Sequence, residues 1–336
     1  MASSRRDPDT AVVCAAQEGR LDEMRALLDR HANVNADLLS HTPLHLASRT
    51  GHHQCVELLL DRHANINAVD YINFTPLHEA SRTGHHQCVE LLLDRHADIN
   101  AVDCEDRDTP LHEASHNGHH QCIELLLDRR ASINATEWQL WTPLHITSHN
   151  GYRQCVELLL DRHANVNAVD YYDNTPLHEA SRGGHHQCIE LLLDRHSNIN
   201  AVDDFRKTPL HLVSRNGHHQ CIELLLDRHA NINAVDDFRK TPLHYASCNG
   251  HHQCVEILID HGASKCITNV RHHPSSIPIQ CLSFARFHEL PLERARAIWI
   301  GSTHCPTNDI VFVLYPEARP NSRTSRNLSR YRTVDP

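Results

Sequence analysis

The chain is short of glycine, of positive charge and of long apolar runs, and each shortage removes a class of function. Only 11 of its 336 residues are glycine, and none builds the glycine-rich loop that cradles phosphate between a strand and a helix. No G-x-S-x-G elbow occurs, and no nucleophile and base form a unique pair, so the chain is read as a non-enzyme without a cofactor. No run approaches the roughly 18 apolar residues of a membrane span. The N-terminal stretch MASSRRDPDT has no apolar signal-peptide core, so the expectation is a soluble protein of the cytoplasm or nucleus. The formal net charge is −10, with 23 Lys and Arg against 37 Asp and Glu in residues 1–270, and 9 against 5 in residues 271–336. An acidic body lacks the basic footprint that nucleic acid requires.

Histidine and cysteine are abundant instead, at 33 and 13. Both follow a period. The letters TPLH begin at Thr42, Thr75, Thr109, Thr142, Thr175, Thr208 and Thr241, 33 residues apart except for one step of 34 whose extra residue falls in Cys104–Asp108. In the second of these repeats Thr75 is a good helix N-cap, and Pro76 suits the first helical position. Leu77, Ala80 and Ser81 form one small-residue face, and Gly84 ends the helix. A second helix carries the stripe Cys88, Val89, Leu92 and Leu93. No such unit buries its apolar face alone; stacked neighbours do.

The period and the motif T-P-L-H-x-A resemble the ankyrin repeat. The resemblance implies an all-α solenoid of about eight repeats, each a helix-turn-helix plus a β-hairpin finger. Residues 9–41 read as a degenerate capping repeat after a disordered 1–8, and residues 42–273 as seven repeats. It also implies that the TPLH histidines hold their turns through the threonines. Gly262 of the last repeat occupies a site that is left-handed in the family; His63, His96, Arg130, His163, His196 and His229 stand there in the others and would be strained by about 1–2 kcal/mol.

Zinc is tempting at the recurrent HHQC. Adjacent histidines on a helix diverge by about 100°, the cysteine belongs to the core stripe, and a closed site needs four converging ligands. No metal is expected there. The seven equivalent cysteines, Cys55 to Cys254, are read as reduced small hydrophobes.

The frame is nearly constant, whereas the segment before each TPLH varies. Tyr71, Phe74, Trp138, Trp141, Tyr171, Tyr172, Phe205 and Phe238 lie there, half of the sixteen aromatics, with Arg206 and Arg239 beside the last two. In the resembled family this segment is the projecting fingertip that contacts a protein partner. The residue after TPLH, including Glu79, Glu113 and Glu179, would lie near the inner face. A protein partner with basic and apolar groups is the expected ligand, and acidification is expected to lower stability or solubility.

Periodicity stops near residue 270, and 274–304 reads as a linker followed by an amphipathic helix with Leu292, Ala295, Ile298 and Trp299 on one face. Ser276-Ile277 with Cys281, and Leu290-Pro291-Leu292-Glu293, resemble parts of a SOCS box, which would recruit elongins and a cullin. Leu290-Pro291-x-Glu293 with Ile298 equally resembles the opening of an F-box, which would recruit Skp1. Pro278 and Glu293 depart from the SOCS-box pattern. Ile310–Tyr315 reads as a short strand within a mostly disordered 305–336.

Overall fold

Each TPLH folds locally into a capped helix start. Thr75 Oγ1 accepts from the His78 backbone N–H, while His78 Nδ1 accepts from the Thr75 N–H at 3.1 Å. This reciprocal box satisfies two backbone donors that the first helical turn would leave unpaired. Proline follows the cap in all seven TPLH helices.

The computed structural model describes residues 7–264 together with the backbone of two strands, 295–300 and 311–316. Its helices form eight pairs. The first four are α1 (Pro8–Gln17) with α2 (Leu21–Asp29), α3 (Pro43–Thr50) with α4 (His53–Asp61), α5 (Pro76–Thr83) with α6 (His86–Asp94), and α7 (Pro110–His116) with α8 (His120–Asp128). The next four are α9 (Pro143–Asn150) with α10 (Arg153–Asp161), α11 (Pro176–Gly183) with α12 (His186–Asp194), α13 (Pro209–Asn216) with α14 (His219–Asp227), and α15 (Pro242–Cys248) with α16 (His252–Asp260). Odd helices pack on odd neighbours and even on even, so the pairs make two layers. Between the layers Leu44, Leu77, Leu111, Leu144, Leu177 and Leu210 are wholly or almost wholly buried. The first helix begins at Pro8, inside the segment expected to be disordered.

The cysteines of the even helices are buried with them, and burial pushes the thiols of Cys88 and Cys122 up to about 12. Such thiols stay protonated and behave as small apolar side chains.

Histidines join the repeats. His45 Nε2 donates to the Phe74 carbonyl at 3.0 Å, His145 to Asn174 at 3.1 Å and His178 to Lys207 at 3.1 Å. Each TPLH histidine so placed ties its own turn through Nδ1 and the next finger through Nε2. The first histidine of HHQC is a second tie: His251 Nε2 donates to the Arg215 carbonyl and His185 Nε2 to that of His149. This second tie was not legible in the HHQC letters.

The hairpin fingers are short, each closed by a backbone bond such as Asp70 N–H to Phe74 O at 3.1 Å or Asp170 N–H to Asn174 O at 3.0 Å. Each described finger is a tight turn, and the one isolated bridge in the stack pairs Leu38 with His41. An aspartate side chain takes the donors that a strand ladder would use. Asp70 Oδ1 accepts from the Ile72 and Phe74 N–H groups, and Asp170 Oδ1 from those of Tyr172 and Asn174. Side-chain capping of this sort competes directly with backbone pairing.

Residues 266–336 form a separate unit. There β1 (Ala295–Ile300) pairs antiparallel with β2 (Val311–Pro316), with Trp299 opposite Phe312 and Ile298 opposite Val313. The strand expected near Ile310–Tyr315 is present. The amphipathic helix expected across Leu292–Trp299 is replaced, in its described part, by the extended backbone of Ala295–Ile300. Ile298, Trp299 and Ile300 are strong strand formers, and the nearby run Val311-Phe312-Val313 offers them a β-rich partner. Four apolar residues at helical spacing were a weaker signal than this local propensity.

Candidate protein-binding surface

The fingers stand side by side and are stitched through their backbones. Cys104 N–H donates to Ile72 O at 2.9 Å, Trp138 to Asp106 at 2.7 Å, Tyr171 to Gln139 at 2.9 Å, Asp204 to Tyr172 at 3.0 Å and Asp237 to Phe205 at 3.0 Å. The varied segments from Tyr71 to Lys240 therefore form one continuous row.

Six of the eight predicted aromatics are exposed along it. Tyr71, Trp138, Tyr171, Tyr172, Phe205 and Phe238 turn outward, Trp138 with 68% of its surface accessible. Some rings support one another without being covered: Tyr171 meets Tyr172 edge-on at 5.2 Å, and Phe205 stacks on Phe238 at 6.4 Å. Arg206 and Arg239 are exposed beside them.

The other two aromatics are structural. Phe74 is buried and stacks on His78 at 4.8 Å. Trp141 is half-buried, lies 5.2 Å from His149 and donates from Nε1 to Asp170 Oδ2 at 3.1 Å.

The acids after TPLH, expected near the inner face, are enclosed within the stack. Glu79, Glu113 and Glu179 are all buried, because the position after TPLH points between adjacent odd helices. Glu79 pairs with Arg82 at 2.6 Å, and Glu179 with Arg182 at 2.6 Å and His149 at 2.9 Å. Burial pushes the Glu113 carboxyl up to about 7, with Asp108 adding to the effect.

Sequence reasoning missed part of the surface. Val69, Val102, Val169, Val202 and Val235, the valines that precede each finger aspartate, are exposed in register, as are Leu39 and Leu140. Their constant spacing made them look like frame residues. A valine repeated before five of the finger turns was the available signal. Exposed acids, Glu105, Asp106 and Asp173, sit among the central fingers. Apolar rings and aliphatic side chains ringed by charge are what a protein partner buries at the centre of an interface.

Ile277, Cys281, Leu290, Pro291 and Leu292 lie outside the described residues, and Trp299 lies on β1. Among the described residues no helix is long and apolar enough to cross a membrane.

Comparison with known proteins agrees with this architecture. The family described as ankyrin repeats (3 copies) matches residues 2–70, 71–137, 136–203 and 195–269. The crystal structure of the human ASB11 ankyrin repeat domain is similar at 31% identity and a TM-score of 0.60, over 66% of this chain and 98% of that one. No curated protein sequence matches.

Proposed function

The chain belongs to the ankyrin-repeat family, whose repeats generally mediate protein–protein interaction, and from that premise we propose that it is a non-enzymatic binding scaffold whose contact surface is the row of fingertips. One observation carries this reading: six aromatics from five fingers are exposed on adjoining turns held in register by backbone hydrogen bonds. Rings fixed in this way lose little conformational freedom on binding, which favours affinity. The central acids select a partner that offers apolar side chains accompanied by lysine or arginine.

The test is capture of partners by the intact chain beside a variant with Trp138, Tyr171 and Tyr172 replaced by alanine. Trp141 and Phe74 are left in place because they hold the stack together. The variant should keep the wild-type helical signal and thermal midpoint but lose its partner. Undiminished capture would remove the fingertip assignment.

A second reading, an adaptor that presents a bound protein to a cullin-RING ligase, rests on Ser276-Ile277 with Cys281 and on Leu290-Pro291-Leu292. Co-purification of the intact chain with elongins and a cullin, or with Skp1, supports it; absence of all of them removes it.

A further inference from the structure

The repeat that begins at Thr109 departs from its siblings at three linked places. Its finger carries the one extra residue of the array. That finger ends in Asp108, where Phe74 and Asn174 stand in other repeats. The residue three beyond its buried glutamate is His116, where Arg82 and Arg182 stand.

These changes remove a cation and add an anion. In the sibling repeats an arginine neutralises the buried glutamate at 2.6 Å. Here Asp103, Asp108 and Glu113 converge instead, all three buried, with carboxylate oxygens within 4.8 Å of one another. Arg82 of the preceding repeat is committed to Glu79. His116 Nε2 approaches from the surface to 3.5 Å from Asp108 Oδ2.

Asp108 supplies an independent indication. It is only 7% exposed, yet its Oδ1 has no hydrogen-bond partner. The nearest imidazole nitrogen, His112 Nδ1 at 3.9 Å, already faces the Thr109 N–H and hydroxyl at 3.1 and 3.0 Å. A buried carboxylate oxygen left without a donor is costly, and the two neighbouring carboxylates add repulsion. A divalent cation answers both problems. Oxygens around a first-row ion sit about 3–4 Å apart when each bond is about 2.0–2.2 Å, so closure from the observed spacing needs only a small side-chain shift.

We propose that Asp103, Asp108, Glu113 and His116 form a site for a divalent first-row metal cation. Two of these ligands belong to the finger and two to α7, so the ion clamps the longest finger to its helix. That finger also holds the next one, through the Trp138 N–H to Asp106 carbonyl bond. Three carboxylates and one imidazole suit an ion of intermediate hardness such as Mn2+ or Zn2+.

The test uses Mn2+, because the many surface imidazoles hold it weakly. Binding is read from the loss of the free-ion paramagnetic resonance signal in the intact protein and in two variants. Both substitutions are taken from sibling repeats and are compatible with the fold: Asp108→Asn copies Asn174, and His116→Arg copies Arg82 and Arg182. The wild type should bind one Mn2+ per chain, with affinity at least tenfold weaker in each variant. Mn2+ should raise the thermal midpoint of the wild type and leave that of His116→Arg unmoved, since the guanidinium already supplies the missing charge. No Mn2+ bound by the wild type, or equal binding by all three proteins, would overturn the proposal.

Discussion

The buried imidazole is the residue on which most of this molecule turns. His45, His145, His178 and His211 are fully buried, and burial holds each below the usual histidine range. Neighbouring carboxylates, Asp170 and Glu179 beside His145, pull the other way but more weakly. The geometry explains the preference for the neutral ring. Nε2–H donates to a carbonyl of the next repeat, so Nδ1 must remain an acceptor for the threonine N–H. Protonation would set two donors face to face. The unfolded chain then binds more protons than the folded one below about pH 6.5. Stability is complete above that pH and falls as pH drops, by up to about 1.4 kcal/mol per pH unit for each such histidine. Urea midpoints at pH 7.5, 6.5 and 5.5 should decrease in that order, and three equal midpoints would contradict this account. Also at this scale, His163 has φ of 65°, in the left-handed region that Gly262 occupies at the equivalent place. His163→Gly relieves about 1–2 kcal/mol of strain but costs about 0.5–1 in chain entropy. A net gain of up to about 1.5 kcal/mol is expected, measurable by chemical denaturation.

Between residue and stack stands the helix pair, whose joint is made by a glycine and a ring. Gly217 has φ of 83°, and a Cβ there would lie 2.7 Å from His251 Nδ1 of the following repeat. The left-handed backbone and the covering ring each demand glycine. Gly217→Ala is therefore expected to destabilise by more than about 1 kcal/mol. His251→Ala should cost less, by loss of its bond to the Arg215 carbonyl. Because the clash needs both side chains, the double variant should be more stable than the sum of the singles implies. A double-mutant cycle read by thermal unfolding checks this, and strict additivity would show that the ring does not press on the glycine. The helices themselves were legible, since Thr-Pro, glycine and an apolar stripe state where each starts, stops and packs. The β1 strand was not: Ala295, Ile298 and Trp299 fit one helical face as letters, and β pairing with Val311–Pro316 is a non-local choice that a helical wheel does not weigh.

At the scale of the whole molecule, the residues that hold the stack and those of the proposed contact surface occupy different places. Leucine, cysteine and histidine join the repeats inside, while the aromatic fingertips and the valines beside them stay outside. Replacing Trp138 with alanine should leave the thermal midpoint unchanged, whereas Trp141→Ala should lower it through loss of the Asp170 bond and the packing on His149. Equal effects would mean that the two tryptophans share one role. The candidate surface was only partly readable for the same reason. Trp138 and Trp141 are three residues apart in one variable segment, and only the turn between them sends one outward and the other into the stack. The burial of Glu79 and Glu179 was unreadable for the same reason, because it depends on how adjacent odd helices pack.

The sequence by itself determined the repeat and the helix pairs, because capping, periodicity and apolar patterning act over a few residues and recur from one repeat to the next. Tertiary structure alone decided which histidine faces which carbonyl, which aromatics remain exposed, and where three carboxylates meet without an arginine. Those outcomes depend on side chains brought together from different repeats, at distances that spacing along the chain does not encode.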